Sequence, residues 1–360
     1  STNETPYWSE IIDVPAGEIF AMQDAICEKI VAALAPQLTL SGPATPATKS
    51  DAYSAYLEGR FFLGRATPAD AERAAKRFEA ALDIDPAYGP AWAGIAECRD
   101  HLGTMGVDVA DHFQAAQRAA TRALALQPGL ANAMNVLGRV AWQYDWDWAR
   151  AEKIFEDAIR LHPGNAELRI AYSDYCALVG KSQRGIEQAE RALRIDPVSP
   201  WVNTLLAQAY YMAGEIELAI RQIGRTLEFD SNFAFAHLFS GMIRMTNGEA
   251  DLAVASLQRA MESGRPDFVG AYGMCLGLAG RAGDAEAVLK DILAQGDAAP
   301  AIARAVVYTG LRRYDEAAAE FAQCIADRDW HILLLYSDPL FAEAAAQPQL
   351  RRLKSKLKLP

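Results

Sequence analysis

Apolar residues recur along most of this chain at the three- and four-residue spacing of helices, and the arrangement itself repeats every 34 residues. Gly180, Gly214 and Gly248 keep this step. So do Ala151, Gly185, Ala219 and Ala253, then Phe155, Ala189, Ile223 and Leu257, then Ala158, Ala192, Thr226 and Ala260. Pro163 and Pro197 share it, with Ser231 and Arg265 where the next prolines would fall. Each period holds two helices and a turn. A helix pair with one apolar face cannot bury that face alone, so the pattern predicts stacked pairs in an α-solenoid.

The pattern also divides the chain. Residues 1–17 read as a short extended piece, in which Tyr7, Trp8, Ile11 and Ile12 are too few apolar groups for a domain. Ile19, Phe20, Met22, Ile26, Ile30, Val31 and Leu34 mark an amphipathic helix within 18–40, ended near Pro36. Residues 41–50, SGPATPATKS, are a linker. The repeats occupy 51–326. The first closes at Asp85-Pro86 and the second at Pro128, 42 residues on, so the second carries an insertion, expected as a loop around Gly103–Asp111. The third and fourth close at Pro163 and Pro197. The fifth and sixth end near Asp230 and Pro266, the seventh uses Gly280, and the eighth uses Tyr308, Ala317, Phe321 and Cys324. Residues 327–360 lose the repeat and are expected to form a cap.

Composition narrows the function. The net charge is −11, so the surface as a whole does not attract nucleic acid. The basic tail from Arg351 to Lys358 reads as the solvated end of a final helix. Cys27, Cys98, Cys176, Cys275 and Cys324 lie singly in apolar runs, as small core residues in a reducing compartment do. No stretch reaches the roughly 18 apolar residues that span a bilayer, so membrane insertion by this segment is not expected. No signal peptide opens the sequence.

Catalytic motifs fail one by one. Gly180-Lys181-Ser182 imitates the end of a phosphate loop, but Tyr175 stands where that loop needs glycine and a helix precedes it. His101, Asp108, Asp111 and His112 are the best metal candidates; an ordinary polar loop with a helix cap at Asp108 or Asp111 is the favoured reading. No metal, cofactor or catalytic residue is expected. In Tyr144-Asp145-Trp146-Asp147-Trp148 the aspartates can cap the next helix and the tryptophans can pack between units.

These repeats resemble the tetratricopeptide repeat, TPR. The resemblance implies an all-α, right-handed TPR superhelix of about eight helix-turn-helix repeats, with an N-terminal helix and a C-terminal helical cap. Four segments go further. YWSEIIDVPAGEIFAMQDAICEKIVAAL at 7–34, YDWDW at 144–148, DPVSPWVNTLLAQAYYMAGEIELAI at 196–220 and the tail at 313–353 resemble the TPR portion of bacterial multidomain regulators. In that group a TolB-amino-terminal-like domain precedes the array, and a cyclase or winged-helix domain often lies further upstream. Residues 1–17 would then be the remnant of the upstream domain.

In a TPR array the first helix of each repeat lines a concave groove. The register places Tyr53, Tyr56 and Arg60 there, followed by Glu97 and His101, then Asn132, Asn135, Arg139 and Trp142, then Asp174. Trp201, Gln208, Tyr211 and Met212 follow, then Phe235, Met242 and Met245. The groove is thus polar early and aromatic and Met-rich later, a surface for a protein or peptide segment. The expectation is a non-catalytic protein- or peptide-binding module of a bacterial regulator, cytoplasmic, or periplasmic if an upstream membrane segment exists. The alternative is a module that senses a small molecule or signal peptide and controls an attached cyclase or DNA-binding domain. Homo-oligomerisation is left open.

Overall fold

Among the described residues sixteen helices form eight stacked pairs, and each first helix also touches the first helix of the next pair. The computed structural model describes residues 50–360 apart from 66, 264, 266, 267, 297, 298, 358 and 360. The expected helix within 18–40 and the Trp8 segment lie outside the described residues. Unit 1 pairs α1 (Ser50–Leu63) with α2 (Pro68–Ile84), and unit 2 pairs α3 (Gly89–Thr104) with α4 (Val109–Leu126). Units 3 and 4 are α5 (Ala131–Gln143) with α6 (Trp148–Leu161) and α7 (Ala166–Leu178) with α8 (Ser182–Ile195). Units 5 and 6 are α9 (Pro200–Met212) with α10 (Ile216–Phe229) and α11 (Ala234–Thr246) with α12 (Ala250–Glu262). Units 7 and 8 are α13 (Val269–Leu278) with α14 (Ala282–Leu293) and α15 (Ala301–Gly310) with α16 (Tyr314–Ala326). Short helical turns from Trp330 to Leu357 follow, and no strand occurs among the described residues.

The glycine step has a backbone cause. Gly180, Gly214, Gly248 and Gly280 all lie near φ +80°, the left-handed conformation that ends a helix without a Cβ clash. The residue after each returns its N–H to a carbonyl five positions back, as Lys181 does to Cys176 and Glu215 to Tyr210. In unit 8 the same turn is made by Arg312 at φ +58°, and in unit 3 by Trp146 at φ +56°. Unit 3 has one extra residue in this turn, so Asp147 N–H reaches back to Ala141. Asp147 then caps α6 by accepting from Arg150 N–H.

Large side chains wedge into gaps left by small ones. Phe78 is fully buried where a Cβ on Gly59 or Gly94 would come within 2.5 and 2.6 Å of its ring. Phe155 meets Gly138, and Leu257 meets Gly241, in the same way. Cys98, Cys176, Cys275 and Cys324 are free and buried in these layers.

Two expectations change. The second-unit insertion is not a loop: α3 and α4 grow to 16 and 18 residues, against 13 and 14 in unit 3, and absorb it. Asp108 stands before α4 with φ +34° and its side chain makes no cap bond; its left-handed backbone departs from the extended conformation that side-chain capping uses. The basic tail forms two single turns, Pro348–Arg351 and Lys354–Leu357, instead of one final helix, and Leu350, Leu353 and Leu357 anchor them by burial.

The tightest crossing is between α13 and α15. A Cβ on Gly310 would lie 2.3 Å from the Met274 carbonyl oxygen, and backbone cannot move aside as a side-chain tip can. Gly310→Ala is expected to cost about 2 kcal/mol or more in urea unfolding. Gly283→Ala, on α14 with nothing within 4 Å of the new methyl, is expected to be neutral or stabilising by up to about 1 kcal/mol. Equal effects at both sites would refute the close-packing account.

Candidate functional site

The groove is built by the first helices, and its two halves differ. In the early half a polar network crosses three units. Arg60 Nη1 lies 2.5 Å from Glu97 Oε2, and Asn132 donates to the other oxygen of Glu97. Arg139 pairs through Nε with Asp100 Oδ2 at 2.8 Å and donates through Nη2 to Thr104 Oγ1 at 3.1 Å. Thr104 in turn donates to Gln143, and Gln208 donates to Asp174 Oδ1 at 3.1 Å. Burial raises the carboxyl pKa of Glu97, Asp100 and Asp174 above the usual range, and Arg60 or Arg139 only partly opposes it.

The later half is occupied by the chain itself, and the same segment reaches back onto units 2 to 4. After α16 the backbone turns at Arg328 (φ +58°) and runs along the concave face. Arg328 stacks over Tyr144 and Trp146 and donates to the Tyr144 carbonyl. Trp330 packs edge-on to Trp142 with centroids 5.6 Å apart and donates Nε1–H to the Thr104 carbonyl. Residues Leu334–Ser337 rest on α7, and Pro339–Phe341 rest on α11. Between them Asp338 accepts from the Tyr211 hydroxyl and from Leu340 N–H. Glu343 then ties the segment to Arg312 and Tyr314 in unit 8.

This arrangement sorts the expected groove residues. Tyr53, Tyr56, Arg60, Asn132, Asn135 and Arg139 remain half-exposed in the early half. Tyr56 is edge-on to Tyr88 at 5.5 Å. Trp142, Gln208, Tyr211, Met212 and Met242 are buried. For Trp142 and Tyr211 the cover is the C-terminal segment, so the reading of the later half as an open aromatic and Met-rich surface is corrected. An apolar groove row gains by burying the chain's own Leu, Trp and Phe side chains. Trp201 and Phe235 stand apart as a rim: Trp201 is 38% exposed, edge-on to Phe235 at 5.0 Å, and Phe235 is edge-on to Phe268 at 5.3 Å. Arg265 covers both phenylalanine rings.

Three positions that shape the groove escaped the sequence reading. Asp100 follows Glu97 by one helical turn, the only signal that it shares the groove face. Trp330 and Asp338 belong to a segment read as an end cap, with nothing in its composition to point it back toward Thr104 and Tyr211. Among the described residues no three His, Cys, Asp or Glu side chains converge as a metal group, His101, Asp108, Asp111 and His112 included. Among the same residues no helix is long and apolar enough to cross a membrane.

Comparison with known proteins agrees with this architecture. A tetratricopeptide-repeat family model matches residues 147–200. No curated protein matches the chain. A monomeric IFIT1 mutant solved with Gppp-AAAA is similar at 16% identity and TM-score 0.61, over 94% of this chain and 76% of that one. The human IFIT1 dimer with PPP-AAAA is similar at 17% identity and TM-score 0.54, over 84% and 77%. A thermophilic TPR protein of Thermus thermophilus aligns at 19% identity and TM-score 0.45, over 58% of this chain and 99% of that one. The likeness is one of fold: the chain is an all-α superhelix of TPR type.

The docked segment has a pH signature. Asp338 is 3% exposed, and burial lifts its pKa from 3.8 to about 6, against the pull of the Tyr211 and Leu340 hydrogen bonds. A carboxyl raised in the folded state favours folding below its unfolded pKa and loses that contribution as pH rises through about 6. The gap corresponds to on the order of 3 kcal/mol. Asp338→Asn keeps an acceptor for both bonds and cannot ionise. It is expected to gain stability relative to the parent between pH 4 and pH 7.5, read from urea midpoints. A difference independent of pH would show that Asp338 does not titrate in this way.

Proposed function

We propose that the chain is a non-catalytic protein- or peptide-binding module, and that its ligand lies in the half of the groove lined by units 1 to 4. TPR arrays generally mediate protein or peptide binding. The observation that carries the reading here is internal: the groove already accommodates an irregular polypeptide segment, 328–343, through aromatic contacts, a carbonyl hydrogen bond and a buried hydroxyl–carboxylate bond. The early half offers the same kind of chemistry with half-exposed side chains. Its curvature is held by that segment, so a ligand meets a preformed surface and loses less free energy to ordering.

The regulatory setting rests on the resemblance of 144–148, 196–220 and 313–353 to bacterial multidomain regulators. We place the module in the cytoplasm, where four buried free thiols stay reduced. The nucleotide ligands of the IFIT1 structures are not carried over. A polyphosphate in this groove would face Glu97, Asp100 and Asp174, and phosphate recognition needs a basic footprint.

The test is a random-peptide phage selection on the full chain, followed by anisotropy with the selected peptides. Asn135→Leu is expected to weaken them by about tenfold or more. Phe229→Ala, at a 59%-exposed position at the end of α10, is expected to leave affinity unchanged. Peptides insensitive to Asn135→Leu, or a selection that enriches nothing, would overturn the reading.

A further inference from the structure

We propose that the early half of the groove recognises a cationic side chain, the guanidinium or ammonium of an arginine or lysine in the bound peptide, seated among Asp100, Asn135 and Asp174. This rests on the groove reading above and adds the chemistry of its ligand.

The argument begins with an imbalance. Glu97 is satisfied on both oxygens, by Arg60 and by Asn132. Asp100 and Asp174 have one cation between them. Arg139 pairs directly with Asp100 and acts on Asp174 only through its field. The neutral amide of Gln208 is the hydrogen-bond donor to Asp174. Burial therefore holds two carboxylates in one stretch of groove against one guanidinium, and both are harder to ionise than a free acid.

Orphaned acceptors mark the same place. Asp100 is 5% exposed, and its Oδ1 has no hydrogen-bond partner among the described residues. Asn135 Oδ1, one helical turn before Arg139 on α5, is buried and equally unpartnered. Both are acceptors, so the missing group is a donor. Leaving such atoms unpaired forfeits the hydrogen bonds they would make to water. A guanidinium carries five donors and an ammonium three, together with the charge that the acid pair lacks. A divalent metal fits less well: Arg139 lies 2.8 Å from Asp100 and repels it, and no metal-type cluster occurs among the described residues.

The test uses the full chain and the peptides from the phage selection, resynthesised with each Lys or Arg exchanged for Leu or Glu. The expected result is enrichment of peptides bearing Lys or Arg, and a loss of about tenfold or more on exchange to Leu, with a larger loss on exchange to Glu. Asp174→Asn is expected to abolish that preference while the circular dichroism and urea midpoint stay at or above those of the parent. Glu97→Gln, whose carboxylate is already paired, is expected to shift affinity less than Asp174→Asn does. A selection dominated by peptides without basic residues, or a preference that survives Asp174→Asn, overturns the inference and leaves the groove reading standing. A selection that enriches nothing removes both.

Discussion

The seating of the C-terminal segment in the groove constrains everything else in this molecule. A solenoid is held by contacts between neighbouring units, so its curvature is ordinarily soft. Here Trp330 reaches Thr104 and Arg328 reaches Tyr144, across 226 and 184 residues of chain. The segment touches units 2 through 6 on its way and is tied to unit 8 by Glu343. Bending the array would have to break these contacts together. The segment therefore ties units 2 to 6 together, and the recognition proposed above would rest on the placement of single groups such as Asp174.

The repeat was legible because its causes are local. A left-handed turn prefers glycine, a helix crossing needs a small residue, and the gap beside it needs a large one. Gly180, Gly241 and Leu257 carry those demands in their own identities. The unit 2 insertion was legible only as a length. Whether extra residues extend helices or form a loop depends on the neighbours they pack against, and α3 and α4 found such neighbours. The course of the C-terminal segment was not legible at all. Trp142, Tyr211 and Met242 have the same composition whether they await a partner or are covered by the chain's own residues, because burial rewards both alike. The cover comes from the far end of the sequence, where no period links it to the groove.

Charge within the groove separates structure from function more sharply than residue size does. Eight positions after the start of α3, α5, α7, α9 and α11 stand Glu97, Arg139, Asp174, Gln208 and Met242. The row is charged across units 2 to 4, neutral and polar in unit 5, and apolar in unit 6. Gln208 and Met242 lie in the half that the C-terminal segment occupies, and both are buried. Polarity in this row thus falls from unit 2 to unit 6.

That gradient bears on why the charges exist. A buried or half-buried ion pair is a poor way to hold helices together, since desolvation offsets much of the attraction and well-packed apolar residues often do as well or better. Met242 illustrates that such residues fit this row of the same array. If the early charges served only to join units 2 to 4, each carboxylate would be expected to have its own cation and filled acceptors, as Glu97 has with Arg60 and Asn132. Asp100 and Asp174 instead share Arg139, Asp100 keeps an orphaned oxygen, and Asn135, one turn before Arg139, keeps an orphaned carbonyl. The shortfall is one cation and its donors, in the half of the groove proposed above to take a ligand.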